Sequence, residues 1–520
     1  MNPKNLLPLR SLYPILLLAI CSCTSKKILD EVRTEQGLVS GVRNVTGDVI
    51  TFKGVPFAAP PVKELRWKAP QPALPWEGVR KCNTWSASPI QNKPVPFMMW
   101  SKEFIAPPEP LSEDCLYLNI WTGAKSPDEK LPVLVWIYGG GFGSGSGACA
   151  IYDGEELAKQ GIVYITINYR VGILGFMAHP ELSAASGTNS SGNYGMLDQL
   201  EALRWVQKNI AAFGGDPSRV TIAGQSAGSM SVNALVASPL SKGLLHGAIA
   251  QSGGMLADRF SKSLADAEAV GIEVAKKLNV PGIAELRQLS ADSLQKIAST
   301  FPFGSFMPIK DGYFLPDYVK DIVGKKQHNQ VPMLSGWVEA DGALFSGAPP
   351  TVASFTTFAK ENYGDDLENF SKAFPAATDE EAKTSQQKVN LMEFAAYPSR
   401  VWAEVNNKPT YLYHFSHVPT DKPAFPNYGA FHTSEVPYAL HTLKRWERPW
   451  QARDYTMEKI MNAYWMNFVK TGNPNGNNVP EWKKYETTTG GIMELNEGAV
   501  MRDGMFTEEF GVLGRKFGKD

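Results

Sequence analysis

The sequence predicts an α/β fold: a mostly parallel central sheet flanked by helices, with large helical and loop insertions. Two apolar runs bounded by turn residues, 131–137 and 162–168, are typical of parallel strands that helices cover on both faces. A helical pattern over 197–210 then leads through the turn 213–217 into a third apolar run, 219–223. Strand, helix and strand in this order form the βαβ unit of an α/β fold.

The remaining segments surround this unit without dividing the chain. The chain from about residue 40 to 125 is rich in turns and short strands, and residues 260–400 have a mostly helical pattern. That helical stretch is interrupted by a strand-like run at 331–337, and a late strand is predicted at 409–415. Since no repeat, low-complexity linker or sharp change in composition appears, we expect one catalytic domain over residues 24–520.

The overall charge argues against binding to nucleic acid. The chain of 520 residues has 51 basic and 52 acidic residues, a formal net charge of −1, and no long run of either sign. Proteins that bind nucleic acid present a basic face that displaces the counterions of phosphate. The expected partner is therefore a small molecule. The sequence leaves the oligomeric state open.

The N-terminal segment predicts export. Lys4 and Arg10 precede the apolar run 12–20, which is far shorter than the ~20 residues that span a bilayer. An apolar run that ends on cysteine resembles a bacterial lipoprotein signal. Cys23, which follows a small serine, fits lipidation better than Cys21. The expected protein is a cell-envelope lipoprotein, periplasmic or tethered to the outer membrane, with the lipid as its membrane contact. A plain secretory signal over residues 1–23 is the alternative.

The third strand runs directly into a serine motif. Residues 224–228 read Gly-Gln-Ser-Ala-Gly, and 232–236 continue as a plausible helix. A G-x-S-x-G turn between a strand and a helix holds its serine out at the top of the sheet, and its glycines avoid side-chain collisions. Ser226 is therefore the predicted nucleophile, and a structural turn serine is the alternative.

A serine nucleophile needs a base and donors for the oxyanion that forms when it attacks. Three glycines at 139–141 follow a buried strand, and glycines let backbone N–H groups approach a substrate oxygen closely. The N–H group of Ala227, the residue after the nucleophile, is the remaining donor. The glycine-rich run 141–147 lacks the spacing of a dinucleotide or phosphate loop, so no cofactor is predicted.

Several long motifs resemble the type-B carboxylesterase family, which includes cholinesterases and bacterial para-nitrobenzyl esterases. The motifs are SEDCLYLNIW (112–121), WIYGGGF (136–142), GNYGMLDQLEALRWVQKNIAAFGGDPSRVTIAGQSAGS (192–229) and SPLSKGLLHGAIAQSGG (238–254). The resemblance implies an α/β-hydrolase fold and a catalytic triad in the chain order serine, acid, histidine. It also implies an oxyanion hole formed by Gly140, Gly141 and Ala227.

The resemblance places the catalytic base at His432. The family's histidine lies in a G-x-x-H-x-x-E context, which matches residues 429–435, after the late strand. The alternative is a loop histidine satisfied by local hydrogen bonds. His414 and His417, three residues apart on or beside a strand, point to opposite faces and make a poor metal pair. No metal site is predicted.

The triad acid is expected between Ser226 and His432, in the loop after the strand at 331–337. The family places this acid directly before a glycine. Aligning that glycine with Gly342 puts Asp341 in the acid's position. Glu339, two residues earlier, is the alternative, because either residue type can orient an imidazole.

Two departures from the family limit what the resemblance implies. Gln225 stands where cholinesterases have a glutamate that helps hold a cation, and Trp100 lies too far ahead of Cys115 to match the choline-binding tryptophan. A choline ester is therefore not the expected substrate. Cys115 matches a disulfide cysteine of the family, and Cys82 could replace its missing partner; the resemblance leaves this bond open.

These features predict a serine carboxylic-ester hydrolase that acts on small to medium esters through an acyl-enzyme. The alternative from another class is a catalytically inactive, cholinesterase-like binding or adhesion module. Among enzymes, the alternatives are a lipase and an esterase of acylated plant polymers. The natural ester stays open, because loops build the pocket.

Overall fold

The structure is a computed structural model that describes residues 30–257, 260, 262–345, 347–422 and 427–518. The predicted leader, with Cys21 and the lipidation site Cys23, lies outside the described residues, so export and lipidation stay predictions. None of the helices in the described ranges is long and apolar enough to cross a bilayer.

Most strands lie in one large sheet. The described strands are β1 Glu31–Arg33, β2 Leu38–Ser40, β3 Val42–Arg43, β4 Ile50–Pro56, β5 Val79–Lys81, β6 Ser88–Pro89, β7 Leu111–Ser112, β8 Tyr117–Thr122, β9 Leu131–Ile137, β10 Val163–Ile167, β11 Gly215–Gln225, β12 Gly247–Gln251, β13 Met333–Val338, β14 Thr410–Phe415, β15 Ile492–Leu495 and β16 Ala499–Arg502. Within the described part of the chain, eleven strands form this sheet in the order β16-β15-β14-β13-β12-β11-β9-β10-β8-β4-β3. The strands from β10 to β15 run parallel, and antiparallel strands flank them at both edges.

Helices follow or interrupt these strands. The described α-helices are α1 Glu155–Ala158, α2 Gly172–Phe176, α3 Pro180–Ala185, α4 Tyr194–Asn209, α5 Ala227–Ala237, α6 Leu264–Lys277, α7 Ile283–Leu286, α8 Ala291–Ala298, α9 Val319–Gly324, α10 Val352–Tyr363, α11 Leu367–Ala373, α12 Asp379–Leu391, α13 Tyr397–Val405, α14 Val436–Ala439, α15 Ala452–Thr471 and α16 Thr507–Lys516. The series α6–α13, broken by β13, is the helical insertion that the pattern over 260–400 predicts.

The central strands confirm the sequence-based prediction of a buried parallel sheet. Each residue of β10 is buried, and β9 is buried from its second residue onward. Continuous apolar strands of this kind need cover on both faces, which the helices supply. The parallel strands β9, β11, β13 and β14 all end at the same edge of the sheet, where α/β proteins bind their ligands.

The disulfide between Cys82 and Cys115 is not formed. Cys82, Cys115 and Cys149 are all free and buried in the described structure. The Sγ atom of Cys82 lies 4.0 Å from the carbonyl oxygen of Gly54, whereas Cys115 lies beside the buried Arg170. Burial raises the pKa of the Cys82 thiol to about 11 and that of Cys115 well above its usual value. Both thiols therefore stay protonated and inert.

Candidate active site

Ser226 lies on a sharp turn between β11 and α5. Its backbone has φ 60° and ψ −123°, a conformation that side chains rarely adopt. A Cβ atom on Gly224 would lie 2.5 Å from the backbone of Gly228, and one on Gly228 would lie 2.1 Å from the carbonyl oxygen of Ile137. Only glycine fits at these two positions. The turn leaves Ser226 partly exposed while its neighbours in the chain are buried.

The glycine loop after β9 packs against this turn. A Cβ atom on Gly139 would lie 2.5 Å from the carbonyl oxygen of Gln225, so the two backbones are in close contact. Gly140 and Gly141 have φ values of 112° and 62°. Within the described residues, their N–H groups donate to no backbone or side-chain acceptor. Ala227 is the first residue of α5, whose first N–H groups have no partner within the helix. All three groups are therefore available to an anionic oxygen.

The structure brings His432 and Asp341 into contact. The Nδ1 atom of His432 lies 2.5 Å from Oδ1 of Asp341, and the two side chains are 2% and 0% exposed. The N–H group of Val338, the last residue of β13, donates to Oδ2 of Asp341 at 3.0 Å. The N–H group of Ala340 donates to the carbonyl oxygen of Ala430 at 3.0 Å, which ties the loop of the acid to the loop of the histidine.

Glu339 is directed elsewhere. Its Oε2 atom lies 2.6 Å from Nε2 of His414, and its side chain is 62% exposed. The neighbouring His414 lowers the pKa of Glu339. Of the two carboxylates considered from the sequence, Asp341 is therefore the one that reaches the imidazole of His432.

Gly342 explains how the acid loop is held. A Cβ atom on Gly342 would lie 1.7 Å from the carbonyl oxygen of Gln387 in α12. We expect Gly342→Ala to displace the loop of Asp341. The melting temperature should fall by several degrees, because overpacking costs about 1–3 kcal/mol. The value of kcat/KM should fall by roughly 10²-fold, because a misplacement of about 1 Å is costly in catalysis.

Gly347 is the matched control for this substitution, because a Cβ atom there would meet no heavy atom within 4 Å. Thermal unfolding and ester kinetics of both variants make the measurement. Equal effects of Gly342→Ala and Gly347→Ala would contradict the role assigned to the close approach.

The side chain of Gln225 lies beside the imidazole. Its Nε2 atom is 3.1 Å from Nε2 and 3.4 Å from Nδ1 of His432. Among the described residues, no hydrogen bond joins the hydroxyl of Ser226 to His432. Bonds of this kind are often long without substrate and tighten in the reacting complex. The sequence shows that Gln225 precedes the nucleophile but carries no information about its contact with the histidine.

Comparison with known proteins decides the family. The model of the Carboxylesterase family matches residues 29–513. The chain belongs to the type-B carboxylesterase family. Its relatives include fumonisin B1 esterase of Sphingopyxis macrogoltabida, 36% identical over 478 residues, with 87% of this chain and 84% of the relative covered. Para-nitrobenzyl esterase of Bacillus subtilis (strain 168) is 34% identical over 480 residues, with 88% and 93% covered.

A solved structure shows the same fold. A PNB esterase structure superimposes with a TM-score of 0.81 at 29% identity, and the alignment covers 93% of this chain and 99% of that one. This carboxylesterase therefore has the α/β-hydrolase fold that its motifs predict. Its family and its esterase relatives support the hydrolysis of carboxylic esters.

A second buried carboxyl group lies close enough to Asp341 to interact with its charge. Glu435 is 0% exposed and accepts a hydrogen bond at 3.3 Å from Nε2 of Gln251, whose Oε1 atom accepts one from Trp465 at 3.0 Å. Burial, and then the negative charge of Asp341, raises the pKa of Glu435 to about 8. Glu435 is therefore mostly protonated at pH 7, and Asp341 is the carboxyl group that contacts His432. The sequence motif contains Glu435 but predicts no role for it.

Aromatic side chains line the site of this carboxylesterase. The rings of Phe394 and Trp100 lie 5.7 Å and 6.4 Å from the ring of His432. On the oxyanion side, a Cβ atom on Gly141 would lie 2.9 Å from the ring of Phe303, whose side chain is 78% exposed. Sequence reasoning missed Phe303 and Phe394, because scattered aromatic residues in helical insertions do not differ from core residues in pattern.

Proposed function

We propose that this carboxylesterase hydrolyses carboxylic esters through an acyl-enzyme on Ser226. His432 acts as the base, Asp341 orients it, and Gly140, Gly141 and Ala227 hold the oxyanion. The observation that carries the proposal is the buried contact of 2.5 Å between His432 and Asp341, at the sheet edge where the Ser226 turn also lies. The alternative of an inactive binding module is disfavoured because each group that the chemistry requires is present.

The proposed reaction has two steps. First, Oγ of Ser226 bonds to the ester carbonyl carbon while its proton passes to Nε2 of His432. The tetrahedral intermediate collapses, the carbon–oxygen bond to the alcohol breaks, and His432 returns the proton to the leaving alcohol. Water then attacks the carbonyl carbon of the acyl-enzyme while His432 takes its proton. The bond from that carbon to Oγ of Ser226 breaks, the carboxylic acid leaves, and His432 returns the proton to Oγ. The oxyanion donors stabilise the negative charge of both intermediates.

Apolar esters of small to medium size are the proposed substrates. Phe303 presents an uncovered aromatic face beside the oxyanion glycines, and Phe97, 53% exposed, packs at a tilt against Trp100 on the histidine side. A bound acyl or alcohol group that covers these rings removes apolar surface from water, which favours binding. The relatives' names specify esters as different as fumonisin B1 and para-nitrobenzyl, so they do not single out one substrate.

A panel of chromophoric esters with graded acyl chains tests this proposal. We expect wild type to hydrolyse the panel. Phe303→Ala should raise KM roughly tenfold for the longer chains and leave acetate esters nearly unchanged, because burying a phenylalanine is worth about 1.5–3 kcal/mol. An equal effect on all chain lengths would show that Phe303 does not bind the acyl chain. No hydrolysis of any ester by wild type would favour the inactive module.

A further inference from the structure

The residue after the proposed base has a strained backbone. Thr433 has φ 88°, and a positive φ is a genuine outlier for a β-branched residue. Thr433 is 6% exposed and follows His432 directly, so a change in its backbone angles shifts the peptide group that joins it to His432. Strain of this kind persists only when surrounding contacts hold it, and it concentrates at functional sites.

A distant tryptophan holds this strained residue. The Nε1 atom of Trp100 donates a hydrogen bond of 2.6 Å to Oγ1 of Thr433, across 333 positions of the chain. The indole ring also stands edge-on to the ring of His432, at 86° and 6.4 Å between centroids. One side chain therefore contacts the base and anchors the residue that follows it.

A tight turn presents Trp100. The N–H group of Phe97 donates to the carbonyl oxygen of Trp100 at 3.1 Å, and the reciprocal bond measures 3.0 Å. Met98, inside the turn, has φ 47°. The rings of Phe97 and Trp100 lie 4.8 Å apart. The backbone bonds and the ring contact limit the positions open to Trp100, which makes it a stiff support for Thr433.

We infer that Trp100 is a positioning residue for His432, acting through its hydrogen bond to the hydroxyl of Thr433. This inference rests on the proposed function. Without the bond, the backbone of Thr433 is free to relax toward a negative φ, and the imidazole turns away from Ser226. Misplacement by about 1 Å can cost roughly 10²-fold in rate, so a single hydrogen bond at this position has a catalytic effect.

Thr433→Val tests the bond most directly, because it replaces the hydroxyl with a methyl group and keeps the β-branched shape. We expect kcat to fall roughly tenfold or more with KM changed less than about threefold, since the bond positions the base and does not touch substrate. Trp100→Phe, which removes the donor and keeps an aromatic ring, should lower kcat to a similar extent. Thr433→Ser, which retains the hydroxyl, should stay within about threefold of wild type.

The double variant separates positioning from general damage. If the two residues act through one bond, Trp100→Phe with Thr433→Val should have about the kcat of either single variant. Losses that multiply, a Thr433→Ser variant as slow as Thr433→Val, or a folded Thr433→Val with wild-type kcat would each overturn the inference. Thermal unfolding of every variant establishes that it is folded.

A spectroscopic measurement keeps this inference distinct from the proposed function. In protein labelled at histidine, the NMR resonance of His432 is assigned by its loss in His432→Asn. We expect it to move in Thr433→Val and Trp100→Phe and to remain in place in Thr433→Ser. An unmoved resonance in the first two variants overturns the inference whether or not the protein cleaves esters. If wild type cleaves esters no faster than Ser226→Ala, the proposed function is overturned, whereas the NMR result still decides the inference about Trp100.

Discussion

Ser226→Ala should lower kcat on a good ester by roughly 10⁶-fold. The remaining kcat should be close to the rate that substrate binding and the oxyanion donors supply without a nucleophile. The reason is that no other hydroxyl occupies the turn between β11 and α5. Alanine matches the size of the serine closely, so the stability should change little. Initial rates on one chromophoric ester, together with thermal unfolding of both proteins, make the measurement.

Ser229 provides a matched control for this loss. It lies one turn along α5, is 0% exposed, and donates to the carbonyl oxygen of Gly253 at 2.6 Å. Ser229→Ala should therefore cost stability and retain most of the activity. A Ser226→Ala variant that hydrolyses the ester as fast as wild type would show that another group attacks.

Asp341→Asn should lower kcat by about 10⁴-fold, the size of effect known for the equivalent change in another serine hydrolase. An amide that keeps the hydrogen bond from Val338 presents its NH₂ group, in place of a carboxylate oxygen, to Nδ1 of His432. The imidazole then takes the wrong tautomer, and no negative charge stabilises it when it gains a proton. Steady-state kinetics of a folded variant give the measurement.

Glu339→Gln is the matched control, because it makes the same chemical change two residues away. It changes a side chain that is 62% exposed and whose contact, 2.6 Å long, is with the buried His414 and not with His432. Its kcat should stay within a few-fold of wild type. A larger loss from Glu339→Gln than from Asp341→Asn would move the acid two residues upstream.

The parts of the fold that depend on local pattern could be predicted from the sequence. The apolar run 131–137 is β9, and the run 219–223 lies inside the longer strand β11. The turn at Ser226 follows from two glycines, since a Cβ atom at either position would collide with backbone atoms. Helix α4 begins at Tyr194, three residues before its apolar pattern, and Tyr194 packs in one cluster with Val274 and Leu286 of the helical insertions.

The choice between the two carboxylates required the structure. Strand β13 ends at Val338, and a short 3₁₀ helix at Asp341–Phe345 turns Asp341 inward. Glu339 is directed outward to His414. Two residues of one loop thus have opposite environments, and hydrophobic pattern does not distinguish them. The resemblance selected Asp341 through the position of Gly342, and its catalytic role stays a prediction.

Contacts between distant segments were outside the reach of sequence reasoning. Gln225 meets His432 across 207 positions, and Trp100 meets Thr433 across 333. No spacing rule connects residues so far apart. The question of a disulfide between Cys82 and Cys115, which the resemblance left open, likewise needed the structure, because it depends on the surroundings of each thiol.

Covalent trapping on Ser226 is the most direct test of the proposed mechanism. A slowly released carbamate or phosphonate ester should add one equivalent to the protein, and peptide mass spectrometry should place the adduct on Ser226. Labelling and loss of activity should run in parallel, and Ser226→Ala should take up no label. Full inactivation with the adduct on another residue, or continued hydrolysis with Ser226 fully labelled, would contradict the acyl-enzyme mechanism.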